Sequence, residues 1–546
     1  MLLTEGCIQF HALLVVCTLI GGNCIRVCAT NTEGCLLWHY RSNKTGECTC
    51  GKELEGFIKC KGNNLYIRDP YCITWDEDSN TVRFTYCLNT QHKSDVCKKH
   101  KIGYYIIDAN SSGHQLNEVM CKSVFRRGKQ CGQCIEGYGP AVFSDNISCA
   151  VCKKHRHMWI LNLLLQLVML TVMYIVFTLL QIKGTSSPIN IMSTYCQLIL
   201  NGVIDDSAFH ERLICYTGKR AVVVALTIFG VGNLDFFRFV VPPLCISESM
   251  RAINILLFDY ITAIYPILLT ILVYTCIELH DKNYLVIVYI SYPIRKLFSL
   301  FHENWNPKQS IVNTFATFLL LSYSKLLFIS INLLFAVQSY DVHGHVIPNS
   351  TVLLYDPTIT YFSSHHIPYA VLALVVLTVF IFLPPLLLLL YPSSFLMKCL
   401  TVCRFQRWDI LHMVMDTFQG WYKDGTEGTS DYRQLSALYL LLRIGLAIEF
   451  LVVILVNQRH RGQWKWLIPG VIHIFLGTFH FVAKPYKKRW MSNTDGMILS
   501  LIGVLLLMAN YRGRDMYLLL GAVSVLLLVP FSFLLLQKCI HRLRSS

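Results

Sequence analysis

Charge is scarce in this sequence, and the scarcity excludes several classes of protein. Of the 546 residues, 15% are charged and 54% are hydrophobic, whereas a soluble domain carries roughly 25% charged residues. The apolar residues form long runs over the last two-thirds of the chain, which predicts a multi-pass protein embedded in the lipid bilayer. A soluble enzyme, a disordered scaffold and a nucleic-acid-binding domain are excluded, and the net charge of +15 fits basic loops beside a membrane.

Motifs of several membrane-protein activities are also absent. The sequence has no potassium-filter string and no helix with arginine at every third position for sensing voltage. It has no zinc-protease motif and no nucleophile elbow, and the glycine-rich stretch 423–429 lacks the spacing of a phosphate loop. We therefore expect no enzymatic activity, no bound metal and no cofactor.

The N-terminus has the pattern of a signal peptide. An apolar core over 12–20 is too short to span a bilayer and is followed by small residues. Glu5 stands where a basic residue is usual. Cleavage is expected near Gly22 or Ala29, so the signal peptide is predicted over 1–29.

Cysteines are concentrated behind this segment. Of the 23 in the chain, 14 lie between Cys24 and Cys152. A short, cysteine-dense stretch after a signal peptide predicts a small, disulfide-rich extracellular domain of β/loop type, here over 30–157, because so little core can be buried. Sequons, which are typical of external surfaces, predict N-glycosylation at four positions: Asn43, Asn110, Asn146 and Asn349.

One cysteine spacing admits two interpretations. Cys131 and Cys134 are followed by Cys149 and Cys152, a double C-x2-C pattern close to that of a zinc ribbon. Asn146 lies between the two pairs and indicates an oxidising compartment, where thiols form disulfides. We favour disulfides over zinc, and the connectivity is left open.

The remainder, 158–546, is predicted to be an all-α polytopic bundle. An apolar helix of about 20 residues crosses a bilayer. About nine transmembrane helices are predicted, with seven as the alternative: 158–182, 189–204, 254–280, 311–337, 367–391, 435–457, 464–484, 494–510 and 515–537.

The orientation follows from glycosylation and loop charge. Asn349 indicates that the loop 338–366 is external, and the basic segments 281–310 and 392–434 are then cytoplasmic. The protein is expected in the plasma membrane with its N-terminus outside and its C-terminus inside. Cys215 and Cys245 are then both external and could pair with each other.

Several strings in the chain resemble a family of multi-pass membrane proteins from early-branching animals. The resemblance covers about 400 residues and implies a laminin- or EGF-like cysteine module before a membrane region similar to that of transient-receptor-potential-like proteins. It implies no particular activity. The matching strings are CGQC at 131–134, GYGP at 137–140, NLDFFR at 233–238, PPLC at 242–245, NTFATFLLLSYSK at 313–325, YKDGT at 422–426 and SDYR at 430–433.

Four ionisable residues fall inside predicted spans, where an exposed charge is costly. They are Asp259, Lys325, Arg443 and Glu449. Asp259 is near a helix end and could reach the interface. Lys325 is central and is expected to have a partner, either Glu449 or several hydroxyls and carbonyls. Arg443 is expected to pair with another helix.

Three further features have a structural and a functional interpretation. His473 and His480 are seven residues apart and share a helix face, which suits proton sensing but more commonly packing. Pro384 and Pro385 predict a kink or a hinge within a span. The segment 405–421 predicts an amphipathic helix at the inner membrane interface.

Two functions remain in competition at this point. The first is a receptor- or adhesion-like protein whose disulfide-rich domain binds an unidentified extracellular ligand or protein. The alternative is an ion channel or transporter of transient-receptor-potential-like type, which would line a path with the buried charges. Either function allows oligomerisation.

Overall fold

The computed structural model is mostly helical, with short strands ahead of the helices. The predicted signal peptide, the four sequon asparagines and the predicted spans 189–204 and 515–537 lie outside the residues that it describes. The described residues are 39–41, 48–50, 58–61, 64–68, 71–76, 81–86, 104–108, 126–127, 133–142, 149–152, 158–179, 234, 244–245, 247–248, 250–284, 288–289, 296, 307–337, 351–353, 355–356, 358–391, 408–456 and 467–510.

Short antiparallel strands run through the cysteine-rich region. They form the pairs β1–β2, β5–β6 and β8–β9 and the three-stranded sheet β3–β4–β7. Each strand has two to six residues, and a two-stranded pair is at best marginally stable by itself. The strands are β1 (His39–Arg41), β2 (Cys48–Cys50), β3 (Ile58–Lys61), β4 (Asn64–Arg68), β5 (Tyr71–Asp76), β6 (Thr81–Tyr86), β7 (Tyr104–Asp108), β8 (Arg126–Arg127) and β9 (Gln133–Cys134).

A second three-stranded sheet joins the cysteine-rich region to the membrane-type helices. Its strands are β10 (Tyr138–Val142), β11 (Cys149–Val151) and β12 (Leu244–Cys245), with β10 in the centre. β10 pairs with β11 in the antiparallel sense and with β12 on its other edge. β12 comes about 100 residues later in the chain, just before the next described helix.

Among the described residues nine α-helices follow the cysteine-rich region, and four continuous helices in this part of the chain are long and apolar enough to cross a membrane. These four are α1, α2, α3 and the helix formed by α4 and α5, so the mostly helical character and the presence of membrane-length apolar helices are confirmed, and the number of spans stays a prediction. The segments are α1 (Met158–Leu179), α2 (Ile253–Asp281), α3 (Pro307–Leu334), α4 (Ile367–Val376), α5 (Leu383–Leu390), α6 (Trp408–Gln419), α7 (Leu435–Val456), α8 (Leu467–Ala483) and α9 (Arg489–Asn510).

Helix α3 is the centre of the bundle. In its most apolar stretch 83% of the residues are buried, against 22–44% in the other three long helices. It packs against α2, α4, α6, α7 and α1. A helix in this position is surrounded by protein rather than lipid, so polar side chains on it are not excluded by contact with hydrocarbon.

A π-helical turn interrupts the helix that begins at Ile367, just before the proline pair. Leu377–Phe382 is a π-helical turn that separates α4 from α5, and Pro384 and Pro385 follow it directly. Proline has no backbone N–H and its ring collides with the preceding turn, which a wider turn relieves. The amide of Leu383 accordingly donates to the carbonyl of Thr378, five residues back.

The predicted amphipathic segment is helical over α6. Its apolar side chains Met415 and Phe418 belong to the main hydrophobic core, where α6 packs on α3. Part of this face therefore contacts protein, whereas the sequence alone predicted contact with the membrane interface. The physical reason is that an apolar helix face can be buried equally well by another helix.

Candidate functional site: the polar core around helix α3

A row of polar side chains is buried along α3. A buried polar group is costly without a hydrogen-bond partner, so such a row marks either a specific helix interface or a functional site. The buried members are Ser310, Asn313, Thr314, Thr317, Ser322, Ser324, Lys325 and Ser330.

Helix α2 supplies partners for three of these side chains. The hydroxyls of Tyr260 and Ser330 are 2.8 Å apart, and Ser322 donates to the carbonyl of Ala263 at 2.7 Å. The two contacts occur in opposite chain order, so α2 and α3 are antiparallel. Between them, Lys325 donates from Nζ to Thr262 Oγ1 at 3.0 Å.

Lys325 is 5% exposed, in agreement with its predicted position deep inside the bundle. Its hydrogen bond to Thr262 is of the kind that the sequence offered as the alternative to Glu449. The Thr262 hydroxyl in turn donates to the carbonyl of Asp259 at 2.9 Å. Helix α7 carries Glu449, whose side chain lies outside the described residues.

Helix α7 is held to α3 by further polar contacts. Arg443 is buried and donates from Nη1 to the carbonyl of Leu320 at 3.1 Å, which is a contact between helices as predicted. Tyr323 donates to the carbonyl of Ile381 at 2.9 Å and lies 3.5 Å from that of Leu440. The Ile381 carbonyl belongs to the π-helical turn, and Pro385, four residues further on, has no N–H to donate to it, which leaves it open to a partner outside its own helix.

Hydroxyls and amides join the other end of α3 to α1 and α6. Ser310 donates to the carbonyl of Thr178 at 2.5 Å, and the hydroxyls of Thr178 and Thr314 are 3.2 Å apart. Thr417 donates to the Asn313 side-chain oxygen at 3.2 Å. The polar row therefore contacts three surrounding helices, α1, α2 and α6, and in the described residues it forms a packed interface.

Two disulfides lie where the cysteine-rich region meets the segment ahead of α2. Cys134 is bonded to Cys149, and Cys152 is bonded to Cys245. The partner of Cys245 is thus Cys152, which corrects the pairing of Cys245 with Cys215 that the sequence suggested. A disulfide pairing depends on which chain segments meet in space, and here β10 brings Cys152 to β12. Cys131 and Cys215 lie outside the described residues.

Gly139 allows this junction to form. A Cβ atom at this position would lie 2.6 Å from Cys245 Sγ and 2.9 Å from Cys152 Sγ, closer than real Cβ contacts. The backbone of Gly137 donates to Glu248 Oε2 at 3.3 Å, a second link between the cysteine-rich region and the segment ahead of α2.

The N-terminus of α2 is capped by a residue that is distant in sequence and that the sequence analysis did not suggest. Asp356 is 1% exposed, and its Oδ2 accepts the amide of Ile253 at 3.1 Å. Its Oδ1 accepts the amide of Thr358 at 3.2 Å and the Thr358 hydroxyl at 2.5 Å. Ala252, the N-cap by position, has no side chain for this task.

His473 and His480 lie on the buried face of a helical hairpin. Both are fully buried, as expected for packing histidines. His480 makes a 2.9 Å hydrogen bond with the Tyr439 hydroxyl, and His473 Nδ1 lies 2.7 Å from the Pro469 carbonyl. Asp495 on α9 is also fully buried, although the sequence analysis did not single it out.

Glycines let the two helices of this hairpin approach closely. A Cβ at Gly470 would meet the Gly503 carbonyl at 3.0 Å, and one at Gly496 would meet the Gly477 carbonyl at 2.9 Å. The glycines are seven residues apart on each helix, so they lie on one face. This spacing was visible in the sequence and could have predicted the α8–α9 contact.

The turn between α8 and α9 rests on two stacked tyrosines. The rings of Tyr422 and Tyr486 are 4.6 Å apart, and burial raises the pKa of both phenols above its ordinary value. At the surface Lys487 lies 3.2 Å from Asp424. The pKa of Asp424 is lowered, mainly because its carboxylate accepts a hydrogen bond from Thr426 and another from Lys487.

Among the described residues, no group of three histidine, cysteine, aspartate or glutamate side chains is arranged to hold a metal ion. Comparison of the chain with protein-family models, curated proteins and solved structures finds no match. The family suggested by the motifs therefore stays a prediction, and inference about function depends on the geometry of the chain itself.

Proposed function

We propose that this protein is a receptor- or adhesion-like protein of the plasma membrane, with an extracellular cysteine-rich domain and a cytoplasmic C-terminus. In this proposal the cysteine-rich domain contacts a ligand or a protein outside the cell, and the helices transmit the contact. The family resemblance, the signal peptide and the four glycosylated asparagines belong to the same proposal.

The observation that carries the proposal is the attachment of the cysteine-rich region to α2. The Cys152–Cys245 disulfide and the pairing of β10 with β12 fix this region a few residues before α2 begins. A module that was attached to the surface without any influence on the helices would need no bond beyond its peptide connection to α1. Through the additional bond, a displacement of the module is transmitted directly to α2.

The contacts of α2 support the second half of this route. Helix α2 packs along the central helix α3 and makes polar contacts with it through Tyr260, Thr262 and Ala263. Interfaces of this kind change between discrete arrangements more readily than they deform. A shift of α2 would therefore reach the polar row on α3.

Two measurements on one cell line test the proposal. The full chain carries an epitope tag after residue 30, and intact cells are stained and then examined by whole-cell patch clamp. We expect the tag to be accessible without permeabilisation and the currents to equal those of untransfected cells. A protected tag would contradict the orientation, and a new conductance would favour the channel alternative.

A further inference from the structure

The turn between α8 and α9 has a firmly held backbone. It covers residues 484–488 and pairs with the segment 421–424 through an antiparallel bridge between Tyr422 and Tyr486. Two backbone hydrogen bonds of 2.9 and 3.0 Å flank this bridge, and the amide of Tyr486 donates to the Ser492 hydroxyl at 3.2 Å. The α8–α9 turn therefore presents its side chains from a fixed support.

Basic side chains lie on the outer face of this turn. Successive side chains of paired, extended segments point to opposite faces. Because the rings of the two bridge tyrosines are buried, their neighbours Lys423 and Lys487 lie on the other face. Lys487 is accordingly exposed, as are Lys488 and Arg489, which follow it. The turn thus presents basic groups at consecutive positions.

Most of these cations have no acidic partner among the described residues. The segments 421–433 and 484–489 together hold six basic and three acidic residues, so their net charge is positive. Lys487 lies 3.2 Å from Asp424, and Arg433 is paired with Asp431. The basic residues that are in no ion pair within this part of the chain are Lys423, Lys484, Lys488 and Arg489.

A basic residue at the start of α3 is arranged differently. Lys308 lies 3.1 Å from Glu278 and 3.0 Å from Asp281. Its charge is compensated by the protein itself, although the side chain is partly exposed. The charges on the α8–α9 turn, by contrast, are left to anions from outside the described residues.

Lys484 occupies a backbone position that favours glycine or asparagine. It follows the last residue of α8 with a φ of 48°, in the left-handed region that is costly for a residue with a Cβ atom. A lysine at this position puts a cation directly after the apolar helix. Replacement by glycine would remove the charge and relieve the backbone at the same time.

The turn also adjoins an exposed apolar surface. Val482, two residues ahead of Lys484, is 78% exposed, and Phe481 beside it is exposed as well. Trp490, directly after Arg489, is 37% exposed. A surface of this kind beside a membrane-type helix is suited to lipid, and tryptophan next to basic residues is typical of the headgroup region. In a membrane, the cations of the turn would therefore meet the phosphate groups of the lipid.

We propose that the α8–α9 turn is a binding site for anionic phospholipid. Lys423, Lys484, Lys488 and Arg489 contact the headgroup, and Trp490 lies at its border with the acyl chains. Phosphatidylserine keeps a net negative charge and is bound, whereas the choline of phosphatidylcholine already compensates its phosphate. The choice of the inner leaflet rests on the proposed orientation, but the binding itself does not depend on whether the protein is a receptor or a channel.

Reconstitution of the full-length protein into vesicles tests the site. The thermal unfolding midpoint is measured in phosphatidylcholine vesicles with increasing mole fractions of phosphatidylserine, and the fraction that gives half of the rise measures the affinity. We expect a saturable rise for the wild type. Each neutralised cation should weaken the affinity about fivefold, so Lys488→Gln should raise the half-saturating fraction by that factor. The triple variant Lys484→Gly, Lys488→Gln and Arg489→Gln should lose about a hundredfold and show almost no rise.

Three control variants separate lipid binding from folding. Lys308→Gln removes a cation that is already paired and is predicted on the same side of the membrane, so the half-saturating fraction should change less than about twofold. Lys488→Arg keeps the charge and should keep the affinity. Lys484→Gly should be at least as stable as the wild type in pure phosphatidylcholine, because its backbone is relieved, and should still bind phosphatidylserine more weakly.

A full rise in the triple variant, or equal shifts for Lys488→Gln and Lys308→Gln, would overturn the proposal. So would a rise of the same size when inorganic phosphate is added to the wild type in pure phosphatidylcholine vesicles, because the turn would then bind a free anion rather than a lipid. Since vesicles offer phosphatidylserine in both leaflets, this result does not depend on the orientation, which the epitope staining tests separately.

Discussion

Cys152 is bonded to Cys245 across a separation of 93 residues. Because Cys245 lies just ahead of α2, the cysteine-rich region is attached to the membrane-type helices at two places, through its own chain into α1 and through sulfur to α2. The second attachment closes a loop that contains α1 and the segment after it.

Gly139→Ala should destabilise the junction. The added methyl group would overlap both sulfur atoms of the disulfide and the backbone of Ser247. Overpacking of this kind costs about 1–3 kcal/mol. Thermal unfolding of the full chain measures the loss, with Gly445→Ala as the matched control, because a Cβ at that exposed helical position meets nothing within 4 Å. Equal midpoints for the two variants would contradict the close approach at Gly139.

Asp356→Ala should loosen the start of α2. It removes the acceptor for the amide of Ile253 and both hydrogen bonds from Thr358. Loss of a helix cap costs about 0.5–2 kcal/mol, and a buried position favours the upper end. The rate of amide hydrogen exchange in the first turn of α2 should rise, and the thermal unfolding midpoint should fall. Asp431→Ala, at an exposed ion pair with Arg433, should have a smaller effect, and the reverse order would count against the capping role.

Gly477→Ala should separate α8 from α9. Its Cβ would collide with the Ser500 hydroxyl and lie 2.7 Å from the Gly496 carbonyl. Backbone on the far side cannot move away as a flexible side chain could, so a loss of about 1–3 kcal/mol is expected. The comparison is again with Gly445→Ala, which exchanges glycine for a better helix former without a clash. A Gly477 variant as stable as this control would exclude tight packing of the hairpin.

The Asp424 carboxylate should stabilise the 421–432 turn only while it is ionised. Its pKa in the folded protein lies below the ordinary aspartate value, so the contribution is present above about pH 4 and declines as the pH falls below that value. The midpoint difference between wild type and Asp424→Asn should thus be larger at pH 7 than at about pH 3. A difference independent of pH would assign the effect to packing.

Periodicity and length predicted much of the helical framework. The span predicted at 367–391 agrees closely with the helix over Ile367–Leu390, because an uninterrupted apolar run is a local signal. Helix α3 begins at Pro307, four residues before its predicted start at 311, because proline is favourable in the first turn and polar residues can precede the membrane.

The contacts between segments could not be predicted in the same way. Asp356 lies 103 residues from Ile253, whose amide donates a hydrogen bond to it. Cys245 is bonded to Cys152, which is one of many cysteines in the sequence that could have been its partner. Both depend on which segments meet in space, which hydropathy does not encode. Among the described residues, the contact between α8 and α9 does have a readable local signal, which is the heptad spacing of their glycines.

Mass spectrometric mapping of disulfides in the full-length protein, purified without reduction from an oxidising compartment, tests the central claim most directly. The attachment of the cysteine-rich region to α2 predicts a peptide pair that links Cys152 with Cys245 and a second that links Cys134 with Cys149. A peptide pair that links Cys245 with Cys215 instead would contradict the account, because the cysteine-rich region would then have no covalent hold on α2.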